Sequence, residues 1–286
     1  VLVDNDGDVL LVGADIELYY TPDGVMLYPL SFVSSDSPHD IMDGEADLIF
    51  ETPDEAAGVY LLYAVYNGDE YYGSSDGLSL LRIDKEATVI SVSDGEVYYG
   101  GSGSVEVRLF DDDGDVLRDG SRSVVLSYEN VSGTWVEFGR GDIVDGVGSI
   151  DFAAPDVPGG DYSIRVEFAG DDYYEGSEGY GHLVVNKGHV SLSLTDSMGY
   201  YSDSGVVTVR MRESDGSAVA HDPKELRLEY TSDGTVFHDV TFESDDGGHN
   251  IIGGEADLTF DIPDVAGDSY YMLRVSFDGD DWYDSG

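Results

Sequence analysis

The chain has 286 residues, enough for two or three domains with their own cores, and its 60 acidic residues against 13 basic ones give a formal net charge of -47. That excess repels nucleic-acid phosphates and anionic membrane surfaces, so neither is expected as a partner; it suits attraction of cations, or concentrated salt that screens self-repulsion. The absence of cysteine excludes a disulfide framework and thiolate chemistry. The longest apolar run, "VYLLYAVY" at 59–66, is far short of the roughly 18–20 residues of a membrane helix, so this segment is not expected to insert directly into a membrane.

In chain order, the first landmark is an acidic turn, "DNDGD" (4–8), followed by a strand pattern, "IELYY", ending at Tyr20. Residues 21–42, with Met26, Leu27, Tyr28 and Phe32, read as a hairpin with a third and fourth strand, and are also the nearest candidate for a binding loop. "DGEADLIF" (43–50) and Pro53-Asp54 precede the alternating run Tyr60, Leu62, Ala64, Tyr66 and then "VYNGDEYYGS" (65–74). From residue 86 the same landmarks return. "ATVISVS" (87–93), "VEVRLF" (105–110), "VVLSY" (124–128), "WVEF" (135–138), "GSIDF" (148–152), "YSIRVEF" (162–168) and "HLVV" (182–185) predict seven short strands. Between them lie the turn "DDDGD" (111–115), Pro155-Asp156 and "FAGDDYYEGS" (168–177). From 188 the order repeats once more, through "ESDGS" (213–217), a strand ending at Tyr230, "GGEADLTF" (253–260), Pro263-Asp264 and "SFDGDDWYDSG" (276–286).

Five ordered landmarks, with the prolines 102 and 108 residues apart and the motif glycines 102 and 109, divide the chain into repeats 1–85, 86–187 and 188–286. The first lacks N-terminal strands and the third its last strand, as expected of a window on a longer array; strand exchange between neighbouring chains is the alternative. Seven short strands per hundred residues, with no helical period, make the expected fold all-β, a tandem array of β-sandwich domains. Tyr60, Tyr162 and Tyr271 open the sixth strand, the place of a structural tyrosine corner. "YSIRVEFAGDDYYEGS…HLVV" resembles the ending of prokaryotic Ig-like repeat domains. The resemblance implies Ig-like modules of bacterial or archaeal surface proteins and adhesins, hence an extracellular, cell-surface location.

Candidate chemistry is sparse. Asp4, Asp6 and Asp8, and again Asp111, Asp113 and Asp115, stand at alternate positions where carboxylates could bind Ca2+, although neither loop has the glycine and glutamate positions of an EF-hand. A plain acidic hairpin is the competing reading, and carboxylates near the junctions at 84–96 and 186–196 offer another cation site. Asn130-Val131-Ser132 is a glycosylation sequon in a turn, usable if the chain is secreted. No nucleophile elbow, phosphate loop or zinc-ligand spacing occurs, and the six histidines do not recur at equivalent positions, so no enzyme is expected.

The thrice-written Gly-Asp motif reads as a tight turn after the sixth strand, with Tyr173 and Tyr174 capping the sandwich; sugar stacking is the alternative, and burial of Tyr173 separates the two. Lys85 and Lys187, in junctions of a lysine-poor chain, are expected to pair with acids of the neighbouring module. Together these features favour an extracellular stalk, sheath or filament, whose partners are copies of itself or neighbouring surface proteins. The alternative is an adhesin whose modules space or contribute to glycan or protein binding.

Overall fold

A computed structural model describes residues 3, 6–9, 14–33, 40–41, 47–118, 120–241, 250–264 and 270–286. All regular structure among them is β, as the alternating patterns require, and no helix is long and apolar enough to cross a membrane. The chain forms two compact units. One comprises Val1–Thr88, Asp111–Gly114 and Ala169–Ser177; the other comprises Val89–Phe110, Asp115–Phe168 and Glu178–Gly286.

In the first unit, β1 (Ala14–Thr21), β2 (Tyr28–Pro29), β3 (Asp40–Ile41), β4 (Gly58–Tyr66) and β5 (Ser75–Ile83) form one antiparallel sheet of order β2-β1-β4-β5, with β3 also on β1. Alternation puts Ile16, Leu18 and Tyr20 of β1 into a core with Leu30, Tyr60 and Tyr66. The stretch at 21–42 supplies two short strands, β2 and β3, each of which pairs with β1. Met26, Leu27 and Tyr28 are exposed near its tip, whereas Phe32 is half-buried and bridges Phe50.

The second repeat supplies β6 (Thr88–Val92), β7 (Gly95–Tyr98), β8 (Ser102–Asp111), β9 (Ser121–Glu129), β10 (Trp135–Val144), β11 (Val147–Ala153), β12 (Gly160–Phe168) and β13 (Ser177–Asn186). They are hydrogen-bonded in the order β6-β8-β11-β10-β9-β12-β13-β7 around Val107, Leu109, Leu126, Ile143, Ile164 and Leu183, none of them exposed.

Two elements differ from expectation. The initial run is the strand β6, and just past it a strand the pattern did not show, β7, pairs in parallel with β13, from Leu183↔Gly95 to Asn186↔Tyr98. The switch is fixed at Ser93, which exchanges hydrogen bonds with Glu106, and at Asp94, whose carboxylate accepts the His182 amide at 2.9 Å. Gly95 then passes so close to Val105 and Leu183 that a Cβ would sit 3.0 and 3.2 Å from their side chains. The "WVEF" strand continues to Val144 through a bulge at Glu137/Gly139, where glycines at 139 and 141 let β10 cross Phe152 and Ile150.

The third repeat contains β14 (Val190–Leu194), β15 (Ser204–Glu213), β16 (Lys224–Glu225), β17 (Arg227–Thr231), β18 (His238–Asp239), β19 (Asn250–Ile251), β20 (Glu255–Asp261) and β21 (Met272–Ser276). They form the sheets β14-β15-β20 and β18-β17-β21 and the pair β16-β19, enclosing Val207, Val209, Met211, Leu228, Leu258 and Phe277.

The tyrosines one residue before the ends of β1, β9 and β17 recur for a reason the pattern did not give. Tyr20 meets Tyr60, Tyr128 meets Tyr162 and Tyr230 meets Tyr271 edge-on, each pair at 6.1 Å between ring centroids. Tyr60 donates to the carbonyl of Ala56 at 2.5 Å and Tyr162 to that of Pro158 at 2.8 Å, each four residues upstream. For Tyr271 the equivalent acceptor lies outside the described residues. We expect Tyr162→Phe, which removes that hydrogen bond and keeps the ring, to lower the unfolding free energy by about 1–2 kcal/mol in urea titration with an unchanged slope.

Candidate functional site at the repeat junctions

The Gly-Asp motif is one loop built three times. Its glycine adopts positive φ at Gly68 (84°), Gly170 (85°) and Gly279 (87°). A Cβ at Gly68 would lie 2.8 Å from the Ser74 nitrogen and the Tyr72 oxygen, so sterics as well as φ demand glycine. The aspartate after it closes the loop. Asp69 Oδ1 accepts the amides of Tyr71 (2.7 Å) and Tyr72 (2.8 Å), Asp171 those of Tyr173 and Tyr174 (2.9 and 2.8 Å), and Asp280 those of Trp282 and Tyr283 (both 2.8 Å). The Tyr71 amide, followed by that of Tyr72, holds the Asp69 carboxyl below the usual carboxylate range.

This construction leaves main-chain carbonyls to be used elsewhere. In the first unit, Ala57 donates to the Asp172 carbonyl (2.9 Å) and Glu86 to that of Tyr173 (3.0 Å). Glu175 donates back to Glu86 (2.8 Å), and the Lys85 ammonium donates to the Asp171 carbonyl. In the second unit the same four bonds recur. Gly159 donates to Asp281 (2.9 Å), Gly188 to Trp282 (2.8 Å), Asp284 to Gly188 (3.0 Å), and the Lys187 ammonium to the Asp280 carbonyl. The short parallel bridges Glu86↔Tyr174 and Gly188↔Tyr283 complete the match. Among the described residues the junction lysines therefore reach loop carbonyls rather than the neighbouring carboxylates that the charge pattern suggested. The Asp171 carboxylate is turned inward onto its own loop amides, and the carbonyl is what faces the ammonium.

The second copy carries more. Lys224, 1% exposed, donates to the Asp280 carboxylate and lies 4.7 Å from the centroid of Tyr283, so each of the three lysines in the chain ends on this motif. Tyr283, equally buried, donates to Glu213 at 2.6 Å and accepts the Ala220 amide at 2.9 Å. His221 stacks on Trp282 (3.5 Å between centroids, 14°) and places Nε2 3.0 Å from Asp156 Oδ1 and 2.9 Å from the Tyr99 hydroxyl. Burial first, then the Asp156 charge, pushes Tyr99 up to about 12. Burial also works to raise the Asp280 carboxyl, but hydrogen bonds from Lys224, Trp282 and Tyr283 outweigh it and hold it below its ordinary value.

Tyr173 is 46% exposed and Tyr71 82%, so these rings do not cap a core; main-chain atoms and the following, more buried tyrosines hold the loop. The pattern missed Tyr99, Glu213, His221 and Lys224. Lysine scarcity was the one available signal, and it points to Lys224.

Among the other candidates, Asp4 lies outside the described residues, and Asp6 and Asp8 are exposed. The turn at 111–115 is a hairpin closed from Gly114 to Asp111 at 3.3 Å, with Asp113 and Asp115 exposed. Among the described residues no three histidine or acidic side chains converge as a cation site. Burial, then the charges of Asp111, Asp112 and Asp113, pushes the Glu86 carboxyl up. Asn130 uses Oδ1 to accept the amides of Ser132 (2.9 Å) and Thr134 (3.0 Å), and the adjacent Val131 is fully exposed.

No family model and no curated protein matches the chain. Solved structures similar to it include the I-band fragment I67–I69 from titin, at 11% identity over 94% of this chain and 84% of that one, TM-score 0.37. The FN1–FN3 domains of chicken CNTN1 share 9% identity over 94% and 85% of the two chains, TM-score 0.24. The N-terminal four Ig domains of Dscam1 isoform 7.44 share 15% over 60% and 37%, TM-score 0.30.

Asp280→Asn leaves the Lys224 ammonium buried without a counter-charge, and should cost about 3 kcal/mol of stability at neutral pH. Because the folded carboxyl lies below its unfolded value, this contribution is complete above about pH 4 and is lost as pH falls through the folded value. Urea titrations should therefore separate parent and variant at pH 7 and bring them together in strong acid.

Proposed function

We propose that the chain is part of an extracellular structural protein, a stalk, sheath or filament of the cell surface, in which tandem Ig-like modules are held in register by the Gly-Asp loops. The observation that carries this reading is the same set of three main-chain hydrogen bonds and one lysine-to-carbonyl bond at positions 102 or 109 residues apart. A flexible linker has no need to repeat such a set; a load-bearing joint does, because stiffness in a repeat protein comes from nearest-neighbour contacts. The net charge of -47 keeps such a surface soluble and repels nucleic acid.

Replacing both junction lysines, Lys85→Ala with Lys187→Ala, should loosen each joint by about 1 kcal/mol while leaving the strand content unchanged. Small-angle scattering should then show a broader distribution of particle dimensions than the parent. An unchanged distribution would count against the joint. Negative-stain images of native material should show regular filaments, sheets or stalks.

The adhesin reading rests on a different observation. On β10 and β13, Trp135 and the exposed Tyr180 lie 5.8 Å apart, with Arg165 5.0 Å from the Trp135 ring. Rings beside a cation are a fitting platform for a sugar. A glycan array probed with the parent chain and with Trp135→Ala tests this; loss of signals in the variant would favour adhesion.

A further inference from the structure

The turns that follow β1, β9 and β17 share one plan, and the second is built differently from the other two. Gly24, Gly133 and Gly234 take positive φ, at 72°, 73° and 73°. In the first and third repeats the turn reads Thr-Pro-Asp-Gly (21–24) and Thr-Ser-Asp-Gly (231–234). Thr21 and Thr231 are buried, and their hydroxyls accept the amides of Gly24 (3.0 Å) and Gly234 (3.1 Å). The aspartate at the third position closes each turn. Asp23 Oδ1 accepts the amides of Val25 (2.8 Å) and Met26 (2.9 Å), and Asp233 Oδ1 those of Thr235 (2.8 Å) and Val236 (3.0 Å).

In the second repeat the turn reads Asn-Val-Ser-Gly (130–133), and the closing acceptor has moved to the first position. Asn130 Oδ1 accepts the amides of Ser132 (2.9 Å) and Thr134 (3.0 Å). The Asn130 main chain completes the turn, donating to the Thr134 carbonyl and accepting the Gly133 amide, both at 2.9 Å. An acceptor at position 132 is therefore no longer needed, yet a hydroxyl stands there, two residues after the asparagine. The carboxamide oxygen takes both bonds, so Nδ2, on the other arm of the planar group, is not committed to the turn. Residues 131–134 are all exposed, and Val131 lies wholly in solvent. A proline at the middle position, as Pro22 is in the first copy, bars an asparagine from glycosyl transfer; Val131 permits it.

We infer that Asn130 is an N-glycosylation site, with Ser132 supplying the hydroxyl that the transferase reads. The donor is an oligosaccharide carried on a lipid phosphate. Asn130 Nδ2 forms a bond to the anomeric carbon of the sugar, and the bond from that carbon to the phosphate oxygen breaks. The lipid phosphate leaves with the electron pair, one Nδ2 proton passes to a base of the transferase, and nothing is oxidised or reduced. Oδ1 remains an acceptor in the product, so the turn keeps both of its bonds while the glycan extends from the hairpin tip over Val131. The inference rests on the extracellular placement proposed above, because sugar is added to this sequon in secreted chains.

The experiment uses the native protein from its own cells. Trypsin releases residues 123–140 as one peptide, bounded by Arg122 and Arg140. Mass spectrometry with fragmentation that leaves sugars attached should place a glycan on Asn130. Ser132→Ala preserves the two Oδ1 bonds, which are made to main-chain amides, and should lose the glycan; Ser132→Thr should keep it, and Asn130→Gln should lose it. A bare parent peptide, a sugar on Ser132 instead of Asn130, or a glycan that survives Ser132→Ala would overturn the inference. Protease treatment of the intact cells separates this result from the location. A chain cut from outside but bare at Asn130 overturns glycosylation alone, whereas a chain protected inside the cell and bare overturns both readings.

Discussion

Everything distinctive in this protein depends on a glycine held at positive φ beside an aspartate that accepts its own loop amides. The glycine turns the chain where no Cβ would fit, and the aspartate uses its carboxylate internally. What remains for the neighbouring segment is a row of main-chain carbonyls. These carry no net charge, so the joint forms without bringing further like charges together in a chain at -47. They are also indifferent to side-chain identity, so Tyr173 of one joint can be Trp282 of the other while the bonds persist.

The scarce cations follow the same logic. With three lysines in the chain, two cross to loop carbonyls and the third is buried against the loop aspartate under Tyr283. Arginines instead pair with carboxylates, as Arg210 does with Glu255 at 3.1 Å and Arg274 with Glu229 at 2.5 Å, and two lie near rings, Arg165 5.0 Å from the Trp135 centroid and Arg274 3.7 Å from that of Phe237. A compact ammonium suits a single carbonyl, and a planar guanidinium suits a ring.

The two copies of the joint are not equally elaborate. That involving Asp280 adds Lys224, His221, Trp282 and a fully buried Tyr283, and polar partners meet each buried group. The copy involving Asp171 relies on the main chain, on Lys85 and on Thr88, which donates to the Glu175 carbonyl at 2.9 Å. The main-chain bonds are thus the common core of the joint, and the side chains around them adjust it.

Alternation and turn residues by themselves determined the all-β class and most strands, because side-chain period and backbone punctuation are local properties. They also located Tyr60 and Tyr162 at their corners. What only the tertiary structure decided is where the Gly-Asp loop faces and what it holds. Sequence pattern registers side chains, and it led to lysines paired with acids; the actual acceptors are carbonyls that every residue possesses. The parallel pairing of β7 with β13, and the convergence of Tyr99, Asp156, His221 and Trp282 from distant segments, were hidden for the same reason. Both depend on which backbone lies beside which, and no local period records that.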